Sequence, residues 1–367
     1  MLRTAVAIVG LCIGAAAGAA TQPTHYLGAD LSYVNELEDC GATYWDRDRR
    51  RDPFELLHER GANLVRVRIW NNPDWTRYST LPDVKKTISR ARRAGMQVLL
   101  DFHYSDDWAD GDKQIIPRAW AGIADTDRLA DALYRFTHDT LQALDRDGLM
   151  PELVQVGNET NGEILSTLAK AREPIHWDRN AKLFNAGIQA VRDAGKKSRI
   201  QPRVMLHIAQ PENVEPWFSA AAQAGVTDFD LIGISYYKKW SKRSLNELGA
   251  TIARLREKYR NADVLLVETA YPWTLENADS APNVLGADSL IESYPATPEG
   301  QRHYLIDLTK LVIASGGAGT VYWEPAWISS SCKTRWGSGS AWDNAALFDF
   351  RGRLLPGADF FGISGQP

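Results

Sequence analysis

The chain has 367 residues, 44% of them hydrophobic, and its formal net charge at pH 7 is −4. This composition excludes a disordered chain and supplies enough apolar residues for one large core. The slightly acidic balance provides no basic surface for nucleic acid or anionic lipid, so we expect a neutral ligand and no nucleic-acid partner.

The N-terminal residues 1–19 have the features of a secretory signal peptide. Arg3 supplies a positive charge, residues 5–17 form an apolar stretch too short to span a membrane, and Ala17-Gly18-Ala19 offers small residues for cleavage. We therefore predict a mature protein of residues 20–367, secreted to an extracellular or periplasmic location without membrane attachment.

Eight apolar runs recur along the rest of the chain. They cover residues 26–34, 62–70, 96–104, 152–160, 203–210, 229–237, 263–270 and 318–326. Runs such as Leu64-Val65-Arg66-Val67 are typical of parallel strands buried on both faces. Amphipathic patterns predict helices at 81–94, 126–145, 181–194, 246–259 and 299–315, and Gly95 is suited to end the first of these.

Strand–helix alternation repeated eight times predicts an α/β protein with a single (β/α)8 TIM barrel. Such a barrel needs about 250 residues or more, which this chain provides. An open doubly wound sheet is the alternative, but no glycine-rich dinucleotide-binding turn follows the first strand. In a barrel the active site lies at the C-terminal ends of the strands.

Polar and aromatic residues occupy the predicted strand ends, as expected for an active site. In chain order they are Asp30 and Ser32, Arg68 and Trp70, Asp101, His103 and Tyr104, Asn158 and Glu159, His207, Ser235, Tyr236 and Tyr237, Glu268, and Trp323 and Glu324. Glu159 and Glu268 end the fourth and seventh strands and would face each other across the barrel mouth. Glycoside hydrolysis needs such a pair, one to protonate the departing oxygen and one to attack or to activate water. A structural salt bridge is the alternative for either glutamate taken alone.

Several segments together resemble the endo-β-1,4-galactanases of glycoside hydrolase family 53. They are Gly28-Ala29-Asp30-Leu31-Ser32, Arg66-Val67-Arg68-Ile69-Trp70-Asn71, Asp101-Phe102-His103-Tyr104-Ser105-Asp106 with Trp108-Ala109-Asp110, Gln155-Val156-Gly157-Asn158-Glu159, Asp230-Leu231-Ile232-Gly233-Ile234-Ser235-Tyr236-Tyr237, Val267-Glu268-Thr269, Tyr322-Trp323-Glu324-Pro325-Ala326-Trp327 and Trp342-Asp343-Asn344-Ala345-Ala346-Leu347-Phe348-Asp349-Phe350. The resemblance spans about residues 26 to 350 in the expected order. Lys238-Lys239-Trp240 and Gly111 depart from it, because the family commonly has proline after the paired tyrosines and after Trp-Ala-Asp.

The resemblance implies a role for each glutamate. Glu159 would be the acid/base and Glu268 the nucleophile of a retaining double displacement that cleaves β-1,4-galactan in pectic galactan or type I arabinogalactan. We expect Arg68 and a tyrosine hydroxyl, that of Tyr236, to keep Glu268 ionised, and Glu159 to hold its proton through burial and its negative neighbour.

The other strand-end residues would form a substrate shell. Asp101, His103, Tyr104 and His207 are expected to contact sugar hydroxyls or to orient the two glutamates, and Asn158 to bond a sugar hydroxyl. Stacking is expected from Trp323, Trp327 and Trp342, and Arg68 and Tyr236 are also counted among the substrate-binding residues. Two alternatives stay open, in which Asp101 is a buried partner of Arg68 and His207 is a core imidazole. Asp30 and Glu324 fit a structural network and a substrate contact equally well.

The sequence predicts no catalytic metal or cofactor. Structural calcium is an open possibility, with Asp343 and Asn344 as candidate oxygen ligands, although the acidic spacing of a known calcium loop is missing. Cys40 and Cys332 follow the first and eighth strands, which are neighbours in a closed barrel, so we expect a disulfide with a Cα–Cα distance of about 4.4–6.8 Å.

Two other functions compete with galactan cleavage. One is a retaining endo-glycanase of the same barrel class that acts on mannan, xylan or glucan, and the other is a non-catalytic carbohydrate-binding barrel. The second would be expected to lack one carboxylate, and both are present. We expect a monomer whose partner is its polysaccharide substrate.

Overall fold

Eight parallel strands close into a barrel in the computed structural model, which describes residues 25–170 and 174–363. We number the barrel strands β1 (Tyr26–Asp30), β2 (Leu64–Ile69), β3 (Gln97–Phe102), β4 (Leu153–Val156), β5 (Arg203–Ala209), β6 (Leu231–Ser235), β7 (Asp263–Thr269) and β8 (Gly319–Tyr322). Each strand pairs with its neighbours in sequence, and β1 pairs with β8 to complete the ring. The predicted TIM barrel is confirmed, whereas the predicted signal peptide lies outside the described residues.

Helices surround the barrel. They are α1 (Val34–Asp39), α2 (Pro53–Glu59), α3 (Leu81–Ala94), α4 (Thr126–Arg146), α5 (Trp177–Gly195), α6 (Pro211–Gln223), α7 (Leu245–Lys258) and α8 (Pro298–Ala314). The apolar pattern located α3 correctly, and Gly95 ends it in the left-handed conformation with φ of 87°. It placed the start of α5 four residues too late and did not indicate α6, which begins at Pro211. Within the described ranges, no helix combines the length and apolar character needed to cross a membrane.

The barrel interior has an apolar floor below a polar layer. The floor consists of side chains that point inward from the lower part of the strands: Tyr26, Leu64, Leu99, Leu153, Met205, Leu231, Leu265, Val267 and Val321. Because side chains alternate along a strand, the next inward position after Leu64 is Arg66, and the next after Leu99 is Asp101. The polar groups of the site therefore stand directly on a packed apolar layer.

A disulfide joins the loops that follow the first and last barrel strands. The Cα atoms of Cys40 and Cys332 are 5.2 Å apart, inside the expected range. Cys332 immediately precedes a short antiparallel hairpin, Lys333–Thr334 paired with Gly337–Ser338, at the mouth of the barrel. The bond therefore anchors this hairpin to the segment after α1.

Candidate active site

The site is an open cleft at the C-terminal ends of the strands. Both predicted catalytic glutamates line it, together with Asn158 and Tyr237. One oxygen of Glu159, one oxygen of Glu268 and one ring nitrogen of His207 all lie within 4.8 Å of one another. The two carboxyl groups thus meet across the barrel mouth, as their strand positions predicted.

Glu159 is held at the end of β4 by an irregular backbone. Gly157 and Glu159 both have positive φ, 86° and 44°, and a side chain at position 157 would come within 2.5 Å of Thr160. This turn stops the regular alternation of the strand and directs the glutamate into the cleft. Its Oε1 accepts a hydrogen bond from the Ser235 hydroxyl at 2.5 Å, and its Oε2 accepts one from the Gly111 amide at 3.3 Å.

Glu268 is almost fully buried, with 5% of its surface exposed. Its Oε1 lies 2.7 Å from the guanidinium of Arg66, and its Oε2 accepts a hydrogen bond of 3.2 Å from the Tyr237 hydroxyl. The pairing of β7 with β6 changes register between Ile234 and Ser235, where Ser235 pairs with Glu268. Such an irregularity re-aims a side chain, and here it presents Glu268 to Arg66.

Burial raises the pKa of both glutamates. For Glu268 it rises well above the usual range, Arg66 opposes the rise, and Glu159, Asp101 and Asp30 add to it. For Glu159 the hydrogen bond from Ser235 opposes the rise, and Asp110 adds to it. Two interacting carboxyls of this kind share their titration, and the direct contact with a guanidinium favours placing the negative charge on Glu268.

Arg66 is the central cation of the site. Besides Glu268, it contacts Asp30 at 2.9 Å and Asp101 at 2.8 Å, and all three carboxylates are buried. It also donates to Asn158 Oδ1 at 2.7 Å. Burial alone would lower the pKa of Arg66, but the three carboxylates raise it, so the guanidinium stays charged.

The prediction that Arg68 supports Glu268 is therefore wrong, and the alternative in which Asp101 is a buried partner of Arg68 does not hold either. Arg68 instead contacts Glu324 at 2.8 Å, and its guanidinium lies over the rings of Tyr33 and Trp108 at 4.0 and 4.3 Å. Arg66 and Arg68 point to the same side of β2, so alternation could not distinguish them. Their different positions along the barrel axis decide which of the two arginines reaches Glu268.

The prediction for Tyr236 is also wrong. Its hydroxyl donates to the carbonyl oxygen of Arg243, outside the barrel, whereas Tyr237 reaches Glu268. Alternation from the inward-facing Ser235 indicates this result, because residues 235 and 237 share a face. Tyr104 likewise lies away from the cleft, with its hydroxyl bonded to Thr137 on α4 and its ring stacked on Phe102.

Asp101, His103 and His207 lie in the buried layer beneath the cleft. His103 Nε2 is 3.0 Å from Asp101, and its Nδ1 accepts a hydrogen bond from the Ala109 amide. Burial alone would raise the pKa of Asp101, but Arg66 and His103 together hold it below the usual range. These residues orient the site from below, while Asn158, whose amide donates to Ala109, borders the cleft itself.

Aromatic rings form the walls of the cleft. The predicted Trp323, Trp327 and Trp342 all line it, and the rings of Trp323 and Trp342 meet edge to face at 4.6 Å. Trp240 and Trp336 also line it, and each leaves 47% of its surface exposed. Sequence patterns did not single out these two because they stand in loops beyond β6 and β8.

The candidate calcium ligands Asp343 and Asn344 make hydrogen bonds to neighbouring loops. Asp343 accepts hydrogen bonds from the Ala278 amide and the Ser329 hydroxyl, and Asn344 donates to the carbonyl oxygens of Thr274 and Leu285. One oxygen of each side chain is buried without a partner. Two oxygens do not supply the six to eight that calcium requires, so these residues do not form a calcium site by themselves.

Comparison with known proteins agrees with this geometry. The family model described as glycosyl hydrolase family 53 matches residues 26–361. The chain is similar to an arabinogalactan endo-β-1,4-galactanase from Cellvibrio japonicus, with 54% identity over 94% of this chain and 92% of that protein. It is also similar to an endo-β-1,4-galactanase from Bacillus subtilis, with 34% identity over 91% and 84% of the two chains.

Among solved structures, the GH53 catalytic domain from Ignisphaera aggregans matches with a TM-score of 0.84 and 31% identity, covering 93% of this chain and 96% of that one. The match therefore extends over nearly the whole of both chains. The protein belongs to glycosyl hydrolase family 53 and is a glycoside hydrolase.

Proposed function

We propose that this enzyme is a secreted endo-β-1,4-galactanase that cleaves pectic galactan or type I arabinogalactan. The observation that carries the proposal is the 54% identity, over nearly the full length of both chains, to a protein named for that activity. An open cleft lined by tryptophans supports internal cleavage of a chain, because a polysaccharide can lie across it without threading an end.

We propose a retaining mechanism in which Glu268 is the nucleophile and Glu159 the acid/base. Retaining glycosidases hold their two carboxyl groups about 5–5.5 Å apart, whereas inverting enzymes leave about 6.5–9.5 Å for a water. The separation of at most 4.8 Å between one oxygen of each glutamate supports the retaining arrangement. The contact with Arg66 suits Glu268 to attack as an anion, and burial suits Glu159 to hold a proton.

In the first step, Glu268 attacks the anomeric carbon, the bond to the glycosidic oxygen breaks, and Glu159 gives its proton to that oxygen. The ester that forms removes the negative charge of Glu268, which lowers the pKa of Glu159. In the second step, a water attacks the anomeric carbon, Glu159 takes its proton, and Glu268 departs. One water is consumed, and two inversions leave the anomeric configuration unchanged.

The remaining residues of the site would support this chemistry in two ways. Trp323, Trp327 and Trp342 would stack on sugar rings, and Asn158 would bond a sugar hydroxyl. Asp101, His103, His207 and Arg68 would act from beneath by fixing the groups that touch the substrate. We propose no cofactor for hydrolysis and a monomer as the active form, since a single chain supplies all of these residues.

Release of reducing ends from galactan, compared with mannan, xylan and cellulose, tests the substrate. We expect galactan to be the best substrate by at least tenfold, and no cleavage of galactan would overturn the proposal. Preferred cleavage of mannan, xylan or cellulose would establish the alternative endo-glycanase. Proton NMR of the first product should show the β anomer, and an initial α product would contradict retention.

Two variants test the assignment of roles. Glu268→Ala should abolish turnover and leave galactan binding measurable. Glu159→Ala should retain cleavage of an aryl galactooligosaccharide with a good leaving group much better than cleavage of galactan, since such a leaving group needs little protonation. Size-exclusion chromatography with light scattering tests the monomer.

A further inference from the structure

The acid/base candidate Glu159 is connected to a buried histidine through one hydroxyl. Ser235 Oγ lies 2.5 Å from Glu159 Oε1 and 2.8 Å from His207 Nε2. Both Ser235 and His207 are fully buried, at 0% exposure each. Ser235 belongs to β6, Glu159 to the turn after β4, and His207 to β5. The barrel itself therefore fixes the spacing of the three side chains.

The direction of the hydrogen bonds among these three side chains follows from counting hydrogens. A serine hydroxyl has one hydrogen, and a distance of 2.5 Å to a carboxylate is typical of a donated, charge-assisted O–H···O bond. Ser235 therefore donates to Glu159. His207 Nε2 must then carry a hydrogen and donate it to Ser235.

The surroundings of His207 Nδ1 agree with that tautomer. The Glu159 backbone amide, 3.3 Å away, donates a hydrogen to this nitrogen. Gln155 Nε2 is a donor 3.0 Å away, although its two hydrogens are shared with Asp101 Oδ1 at 2.7 Å and the Gly157 carbonyl oxygen at 3.0 Å. Asn158 Oδ1 also lies 3.0 Å away, but it already accepts from Arg66 at 2.7 Å. Burial, with Arg66 nearby, lowers the pKa of His207 well below its usual range, so the ring is neutral.

We propose that Ser235 and His207 are positioning residues that keep the transferable proton of Glu159 on Oε2. The inference rests on the proposed role of Glu159 as acid/base. Oε1 accepts the short bond of 2.5 Å from Ser235, whereas Oε2 accepts only a long bond of 3.3 Å from the Gly111 amide, so the acid proton of Glu159 is placed on Oε2. If these hydrogen bonds ran in the opposite direction, the proton would lie on Oε1, which faces the protein wall and not the substrate.

The hydrogen bonds from His207 to Ser235 and from Ser235 to Glu159, called the relay below, also hold the Glu159 carboxyl in the same orientation in both of its protonation states. When Glu159 has lost its proton, Oε1 still accepts from Ser235, so the carboxylate is ready to take a proton from water at Oε2. The charged and titratable groups around Glu159 are Asp110, Arg66, Glu268, Tyr237 and His207. Those around His207 are Arg66, Asp101, His103, Glu159 and Glu268.

Nitrogen NMR of the histidine ring tests the relay without relying on activity. The protein contains 7 histidines, so ¹⁵N-labelled rings can be assigned, with His207→Gln identifying the signal of interest. Between pH 5 and 8 we expect a neutral ring with Nε2 protonated and Nδ1 unprotonated. A hydrogen on Nδ1 would overturn the proposal.

Kinetics of Ser235→Ala give a second, separate test. We expect kcat/KM on galactan to fall about 10- to 100-fold, as for partial loss of general acid catalysis. On an aryl galactooligosaccharide with a good leaving group, it should fall less than threefold. Because the serine hydrogen bond lowers the pKa of Glu159, its removal should also move the basic limb of the pH profile to higher pH.

The matched control is Thr160→Val, which removes a hydroxyl bonded to the His207 carbonyl oxygen but leaves the ring contacts in place. We expect it to keep the wild-type pH profile and the wild-type ratio between the two substrates. An equal loss on both substrates in Ser235→Ala, with an unchanged pH limb, would reduce Ser235 to a structural role. If the wild type did not cleave galactan, the proposed function would be wrong. The NMR measurement of the His207 tautomer would then be the remaining test of the relay.

Discussion

Arg66 contacts Glu268 at 2.7 Å while it also holds Asp30 and Asp101, so one guanidinium balances three buried carboxylates. Desolvating an ion costs several kcal/mol unless partners of opposite charge compensate. This cluster of one cation and three carboxylates is therefore sensitive to the loss of any one of its side chains. The arrangement leaves an excess of negative charge beside Glu268. Burial is the main cause of the raised pKa of Glu268, and the neighbouring negative charges add to it against the opposing effect of Arg66.

Replacing the central cation should damage stability and catalysis together. Arg66→Gln leaves three carboxylates without a cation, and we expect a loss of about 3–5 kcal/mol in the free energy of unfolding. Since Arg66 lowers the pKa of Glu268, the acidic limb of kcat/KM should move to higher pH. Urea unfolding and a pH–rate profile check both effects.

Arg68→Gln is the control, because it breaks the ion pair with Glu324 but does not touch Glu268. It should lower stability without moving the acidic limb of the profile. A shift of the limb in Arg68→Gln and none in Arg66→Gln would contradict the assignment.

The paired tyrosines should respond differently to loss of their hydroxyls. Tyr237→Phe removes the hydrogen bond to Glu268, and we expect kcat/KM to fall about 10- to 100-fold, the effect of a charge-assisted hydrogen bond of about 1.5–3 kcal/mol. Tyr236→Phe removes only the bond to the Arg243 carbonyl oxygen and should leave kcat/KM within about twofold. Steady-state kinetics on galactan would decide, and equal effects would reject the distinction.

The buried carboxyl of Glu268 should lower the stability of the fold at neutral and alkaline pH. The folded-state pKa of Glu268 is raised above its unfolded value, so the folded state binds the proton more tightly, and stability falls as pH rises from the unfolded toward the folded pKa. Glu268→Gln should therefore unfold at a higher temperature than the wild type at pH 8. At pH 4 the difference should be small.

Calorimetry at the two pH values measures this difference. Glu247→Gln provides the opposite case, because hydrogen bonds with Ser244 lower the pKa of this exposed carboxyl to about 2. That variant should gain no stability at pH 8. A stability gain in Glu268→Gln that is equal at both pH values would contradict the electrostatic explanation.

Removing the disulfide should loosen the barrel mouth. Cys40 and Cys332 are 292 residues apart, and loss of such a cross-link by a double change to serine should cost about 2–5 kcal/mol. Because Cys332 precedes the hairpin that carries Trp336, we also expect a higher KM for galactan. Denaturant unfolding with and without a reductant measures the first effect, and unchanged stability after reduction of the wild type would contradict it.

Local sequence patterns predicted the strands well because each barrel strand is a short apolar run with a polar end. They also located Glu159 and Glu268, since strand ends converge in a barrel. They did not separate Arg66 from Arg68, because both side chains point inward and only their heights differ. The choice of Tyr236 over Tyr237 was a different error, since the alternation of strand residues already favoured Tyr237.

Residues in loops account for most of the remaining differences between the sequence predictions and the structure. Trp240 and Trp336 face the cleft because of loop geometry, and no periodic pattern records that geometry. The relay from His207 through Ser235 to Glu159 joins three different strands or strand ends, so it depends on the barrel register and not on local spacing.

The pairing of β1 with β8 has a consequence for how the chain becomes an enzyme. Tyr26 is opposite Gly319 and Ala29 is opposite Tyr322, so the first strand pairs with a strand that is synthesised long after it. Contacts of such long sequence separation form late in folding. Until they form, β1 has an unpaired edge, and Cys40 and Cys332 lack the framework that brings them together. Ring closure and disulfide formation should therefore follow synthesis of β8 and of Cys332, so a truncation before β8 would leave an exposed strand edge prone to aggregation.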